Sequence, residues 1–222
     1  MIAAASTDGI IGVAGQLPWR IPRDWAQFAR TTAGGILLSG RSSFEETGLL
    51  PGRTHVVLSR SAAARAQLRE RYGVRTASTL AEGLREAALL EDDLPHAART
   101  FICGGEALYA EALPLAHHLL LTTVHHVIEE NGAELKDVRR FPSEWPNYFP
   151  PASLVSSDDF VDDACELKSL RSGRDMDGGG AGVSAVDAPL CRLRITLAAY
   201  SVNSFKLSRE SSGGQEFNEV KK

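Results

Sequence analysis

Short uninterrupted apolar runs alternate with stretches whose apolar residues recur three and four positions apart, and this alternation holds to about residue 126. The first pattern predicts strands at 2–6, 35–39, 55–59, 74–77, 99–103 and 119–124. Runs such as Ile36-Leu37-Leu38 and Leu119-Leu120-Leu121 have no polar alternate, so they suit strands covered on both faces. The fold expected is α/β, a central and mostly parallel mixed sheet flanked by helices on both faces, with a C-terminal antiparallel strand pair near 153–160 and 192–202.

Helix starts are marked where a side-chain oxygen can satisfy first-turn amides: Ser42 with Glu45, Ser43 with Glu46 and Thr79 with Glu82 all have capping-box spacing. Pro22 suits a first-turn position, and Trp25, Phe28 and Ala29 place one apolar stripe on the helix that Asp24 helps to open. That stripe is expected to pack inward. The segment 62–72, with Arg65, Arg69, Glu70 and Arg71, reads as a helix with a solvated face.

Beyond residue 126 the prolines Pro142, Pro146, Pro150 and Pro151 interrupt the pattern, while Phe141, Trp145, Tyr148 and Phe149 still imply packing. The segment 169–189, with Gly178-Gly179-Gly180-Ala181-Gly182, is too poor in apolar residues to order itself and reads as a flexible hairpin insertion. Residues 203–222 are mostly polar and read as a tail. One domain, 1–202, is expected to carry both the insertion and the core. Asp158-Asp159 and Asp162-Asp163 read as surface acids.

With 222 residues, 43% hydrophobic and 23% charged, the chain is long enough for one sizeable core. A net charge of −4 provides no broad basic field, so nucleic acid and membrane surfaces are excluded as expected partners and small molecules or proteins remain. No apolar run approaches the roughly 20 residues of a membrane span, and the opening Met1-Ile2-Ala3 enters a strand without a basic leader. The three cysteines, Cys103, Cys165 and Cys191, show neither a disulfide framework nor a metal pattern. A cytoplasmic protein is the expectation, or an organellar one if a targeting segment was removed. His117-His118 and His125-His126 lie roughly 26 Å apart along a strand, so they form no shared metal site, and no metal is expected.

Four segments carry candidate chemistry. Asp24 lies beside Trp19, Trp25 and Phe28 at a helix start, where it is either a pocket acid with shifted proton affinity or an exposed residue that stabilises the helix dipole. Ser39-Gly40-Arg41-Ser42-Ser43 and Phe101-Ile102-Cys103-Gly104-Gly105-Glu106 are both strand, glycine, helix, and each allows backbone to approach a phosphate closely. Two such cradles point to a dinucleotide. Leu50-Pro51-Gly52-Arg53 is a turn that delivers an arginine to a strand start, where a guanidinium binds a carboxylate bidentately or is simply solvated.

In order and approximate spacing, the motifs Pro18-Trp19-x-x-Pro22-x-Asp24, Gly40-Arg41-Ser42-Ser43, Pro51-Gly52-Arg53 and Gly104-Gly105-x-x-x-Tyr109 resemble the dihydrofolate reductase family. Ile2-Ala3-Ala4, Gly9-Ile10-Ile11-Gly12, Leu58-Ser59-Arg60 and Leu121-Thr122 extend the likeness across residues 2–124. The resemblance implies NADPH-dependent reduction of 7,8-dihydrofolate to tetrahydrofolate. It implies Asp24 as the pocket acid promoting protonation, with Trp19 and Thr122 as its catalytic companions. Ala4, Leu17, Phe28, Leu50 and Cys103 match positions lining the pterin and benzoyl pocket, and Arg53 matches the clamp for the glutamate carboxylate. Gly12, Gly40, Arg41, Ser42, Ser43, Ser59, Arg60, Gly104, Gly105, Glu106, Ala107 and Tyr109 match the cofactor side, and the Gly104-Gly105 bond is cis in the family.

Three residues depart from the family pattern: Ser39 replaces an apolar residue, Cys103 stands where an aliphatic residue is usual, and Glu106 brings a carboxylate towards the cofactor phosphates. Glu106 either points outward or weakens NADPH binding. A second reading follows from Glu106, the insertion and the tail, in which the fold is a catalytically silent structural subunit with a protein partner for those segments.

Overall fold

A computed structural model describes residues 1–93, 99–128, 135–167 and 191–199. The predicted insertion 169–189 and tail 203–222 lie outside the described residues. In chain order the strands of the N-terminal half are β1 (Ile2–Ser6), β2 (Ile10–Val13), β3 (Trp19–Arg20), β4 (Ile36–Gly40), β5 (Thr54–Leu58), β6 (Arg75–Ala77) and β7 (Thr100–Ile102). They are followed by β8 (His118–Val124), β9 (Val138–Arg140), β10 (Leu154–Asp162), β11 (Glu166–Leu167) and β12 (Cys191–Ala199). The helices are α1 (Pro22–Thr31), α2 (Arg41–Thr47), α3 (Ala62–Tyr72), α4 (Leu80–Asp93), α5 (Glu106–Ala112) and α6 (Trp145–Tyr148).

One sheet, in the order β6-β5-β4-β7, is parallel throughout. The other, β1-β8-β12-β10, begins with the parallel pair β1/β8 and continues antiparallel through β12 and β10. Ala3 and Leu121 of the second sheet share one apolar core with Leu38, Val56 and Ile102 of the first. The apolar runs of β4 and β5 are buried on both faces, as strands without polar alternates require. No helix of the described residues is long and apolar enough to cross a membrane.

Two short ladders, β2/β9 and β3/β11, have no counterpart in the sequence expectations. Strands of two to four residues show no periodicity, and both pairings join segments more than a hundred residues apart.

Several local expectations are corrected. The helix α2 starts on Gly40 without a side-chain cap, and the carboxylate of Glu46 accepts the backbone N–H of Leu17 at 2.6 Å instead of closing a capping box with Ser43. Only Thr79 behaves as expected, accepting the Glu82 amide at 3.2 Å while Glu82 turns back to Ser78. The apolar stripe of α1 does not enter the core: the helix has no buried residue, and Trp25 is 37% exposed. Its stripe faces a cavity.

Asp162 is no surface acid. It is buried, and its carboxylate accepts the amides of Arg23 at 2.9 Å and Ala164 at 3.0 Å. Cys165 is disulfide-bonded, where the sequence showed no disulfide framework.

Candidate active site

The helix α1 begins after Ile21, which has no oxygen to offer its first-turn amides. Asp162 supplies the missing acceptor from the end of β10, and Phe160 on the same strand packs its ring 4.1 Å from the Arg23 guanidinium carbon. This brace holds the turn from which Asp24 projects. Asp162→Ala should lower unfolding free energy by about 1–2 kcal/mol, as loss of a cap does, while Asp162→Asn keeps most of it; urea denaturation measures both. Equal stability in all three proteins would remove the brace from consideration.

Asp24 lies on the wall of an apolar cavity beneath α1, where Thr122 of β8 donates its hydroxyl to Asp24 Oδ1 at 2.6 Å. Burial pushes the Asp24 carboxyl above the usual carboxylate range, and the Thr122 hydrogen bond opposes this without cancelling it. The acid therefore holds a proton more readily than an exposed aspartate. Ala4, Leu17, Trp19, Phe28, Leu50 and Cys103 line the same cavity. Trp25 and Phe28 meet edge-on at 5.8 Å and form the wall on the side of α1. Burial pushes the Cys103 thiol up to about 12, so at neutral pH it is an apolar wall and no nucleophile.

Arg53 stands outside the cavity lining, at the end of the turn after Leu50. Its Nε donates to Thr32 Oγ1 at 3.2 Å, one terminal nitrogen to Pro51 O at 2.6 Å and the other to Ala29 O. Two of its five N–H groups thus tie it to the end of α1 and one to the turn itself, leaving one on each terminal nitrogen for a ligand. A carboxylate accepts such a pair bidentately.

The two glycine cradles form one site. Gly40 donates its amide to Gly104 O at 2.7 Å, and the Gly104-Gly105 bond is cis, as the family resemblance implied. Gly104 has φ +110°, and a Cβ there would lie 3.3 Å from both Ser43 Oγ and Tyr109 Oη. A side chain there would crowd both hydroxyls and need a backbone conformation that L residues rarely adopt, so glycine lets the chain lie close against Ser43 and Tyr109. Tyr109 fixes this corner by donating to Ile2 O at 2.8 Å. Gly40 ends β4, Ser59-Arg60 follow β5 and Gly104-Gly105 follow β7, so all three lie along the carboxyl edge of the parallel sheet. Ligands of open α/β sheets bind along that edge. An extended dinucleotide fits this row.

Ser43, Gly104, Gly105 and Tyr109 reach the cavity, whereas Gly12, Gly40, Arg41, Ser59, Arg60, Glu106 and Ala107 do not line it, and Ser42 lines the adjoining groove. Glu106 faces Arg139, its carboxylate 3.9 Å from the guanidinium, and Arg139 also pairs with Asp137 at 2.5 Å. Both side chains are about half exposed, so the pair is weak, but it supplies a cation beside the carboxylate. Sequence reasoning missed Glu46, His55 and Asp162. The imidazole of His55 in the apolar run of β5 was a readable signal; nothing local marked the other two.

The dihydrofolate reductase family profile matches residues 1–138. A type 3 dihydrofolate reductase from Salmonella typhimurium is 35% identical over 175 residues, covering 77% of this chain and 95% of the relative. The enzyme of Mycobacterium tuberculosis is 34% identical over 128 residues, or 56% of this chain and 70% of its own. A solved structure of dihydrofolate reductase from Enterococcus faecalis, complexed with NADP(H) and RAB-propyl, superposes with a TM-score of 0.59 at 24% identity, covering 89% of this chain and 94% of the other. That superposition shows the fold, and the profile and relatives together show the kinship: the chain belongs to the dihydrofolate reductase family.

Proposed function

We infer that the chain catalyses NADPH-dependent reduction of 7,8-dihydrofolate to tetrahydrofolate. The observation that carries this reading is the Asp24–Thr122 pair on the wall of an apolar cavity that Gly104 and Gly105 also line. When bound, NADPH supplies the hydride for C6 of the pterin, and a proton reaches N5. Gly40, Ser43, Gly104 and Gly105 suit the cofactor diphosphate, with Arg41, Ser59 and Arg60 positioned to favour a 2′-phosphate and hence NADPH over NADH.

The chain's own contribution is positional and electrostatic. Asp24 accepts hydrogen bonds from the pterin ring edge and raises its proton affinity, while Thr122 keeps the carboxylate aimed. Trp19 and Phe28 exclude water, which strengthens that interaction. Arg53 holds the glutamate carboxylate, so that the ring lies in a reactive pose. Glu106, turned on Arg139, supports an active enzyme over a silent fold. The protein partner expected for 169–189 and 203–222 concerns residues outside those described.

We take 1–202 as one catalytic domain. The cytoplasmic setting belongs to the same inference, although the disulfide at Cys165 favours a less reducing one. Mixing the protein with NADPH and dihydrofolate should cause loss of nicotinamide absorbance, with a rise in melting temperature on NADPH addition. No turnover and no thermal shift would overturn the reading.

A further inference from the structure

The imidazole of His55 is 5% exposed and precedes the fully buried Val56 and Val57 of β5. Its ring meets Phe44 of α2 edge-on, with centroids 5.4 Å apart, and its side chain forms part of the cavity wall. The Nε2 atom accepts the backbone N–H of Leu50 at 3.1 Å. An accepting nitrogen carries no proton, so this bond exists only in the neutral imidazole with its proton on Nδ1. Leu50 opens the turn that Arg53 closes, and both are substrate-side residues: one an apolar wall, the other the carboxylate clamp.

We propose that His55 is a positioning residue for the glutamate end of the substrate: the neutral ring fixes Leu50 and, through the turn, Arg53, and protonation of the ring releases them. The proposal rests on the dihydrofolate reading and names a pH-sensitive support for one part of that site. A protonated Nε2 would present N–H to N–H at Leu50 and place a second cation beside Arg53.

The surroundings favour the neutral state. Arg53 is the charged group on the turn; from α2 Glu46 lines the same cavity, and from α3 Tyr72 packs behind Phe44, ring centroids 5.2 Å apart. Burial pushes the His55 pKa below its ordinary value; the backbone hydrogen bond with Leu50 pulls the other way without cancelling it, and the Arg53 charge adds to the lowering. An unfolded histidine takes up its proton near pH 6.5. The folded ring resists, so stability from this group is full above that value and falls as pH drops through the lower folded pKa.

The test compares wild type, His55→Phe and His55→Gln. Phenylalanine keeps a ring against Phe44 and loses the acceptor; glutamine keeps an acceptor that does not titrate. Dissociation constants are read by quenching of tryptophan fluorescence for folate and for a methylpterin lacking the benzoylglutamate tail, between about pH 8 and pH 5.5, spanning the histidine range. Wild-type affinity for folate should weaken steadily as pH falls towards the lowered pKa of His55, approaching about tenfold, the size of one hydrogen bond, only once the ring is fully protonated, while methylpterin, which also meets Asp24, changes much less. His55→Phe should bind folate about tenfold more weakly at pH 8, with little further pH dependence and an unchanged methylpterin affinity. His55→Gln should restore folate binding at pH 8 and keep it at low pH.

Equal losses for both ligands, or wild-type pH dependence surviving in His55→Phe, would overturn the positioning role. So would a folded His55→Gln as impaired as the phenylalanine variant. Failure of the wild type itself to bind folate strikes the dihydrofolate reading first, and is thereby distinguished from failure confined to the variants.

Discussion

Asp24→Asn is expected to fold and bind NADPH normally, yet to lose roughly 10²–10³-fold in hydride transfer at neutral pH, the range typical of a removed proton-transfer group. The amide occupies nearly the same volume, and its oxygen still accepts the Thr122 hydroxyl that Asp24 Oδ1 accepts at 2.6 Å. It cannot hold the negative charge that raises the proton affinity of the bound pterin. The lost rate should therefore recover as pH falls and solvent protonates the substrate directly. Single-turnover rates from about pH 5 to pH 8 test this, a window that spans neutrality and the range of a raised carboxyl. A neutral-pH rate within threefold of wild type would refute the role of Asp24.

Stability of the same variant should move the other way. Because burial raises the Asp24 pKa, the folded protein binds this proton more tightly than the unfolded chain does. Its favourable contribution is present below the unfolded value near 3.9 and is lost as pH rises through the folded one. At neutral pH the ionised carboxylate is a cost, so Asp24→Asn should melt at the wild-type temperature or above it. Lower activity joined to undiminished stability is the mark of a functional acid.

The second large effect concerns Arg53. Arg53→Leu is expected to raise the dissociation constant for dihydrofolate roughly 10- to 100-fold, since a bidentate charge-assisted pair contributes about 1.5–3 kcal/mol. A tail-free dihydropterin should bind both proteins alike. The guanidinium also ties the turn to the end of α1 through Ala29 O and Thr32 Oγ1, so some melting temperature is lost as well. Arg53→Lys separates the two contributions, because it keeps the charge and lacks the planar fork. If a lysine restores full affinity, the bidentate geometry assigned to Arg53 is wrong.

Much of the site was legible as ordered short motifs. Asp24 was ambiguous alone, since a first-turn acid reads equally well as a dipole-stabilising surface residue; its spacing from Trp19, Arg53, Gly104-Gly105 and Thr122 decided between the two. The local reading erred where a polar side chain serves a distant segment. Glu46 had capping-box spacing, but its carboxylate reaches Leu17 across the mouth of the cavity. Asp162 looked like one of several surface acids, but it supplies the acceptor that Ile21 cannot.

By itself the sequence determined the longer strands and their order, because strand periodicity follows from local backbone geometry and burial, and every long predicted strand recurs within two or three residues at its ends. Tertiary structure alone decided the proton affinity of Asp24, the neutral state of His55 and the origin of the α1 brace. Each depends on desolvation and on hydrogen-bond partners drawn from remote segments: Thr122 lies 98 residues from Asp24, and Asp162 lies 139 from Arg23. Those distances close only when β8 and β10 take their places in the sheet, so no local pattern records them.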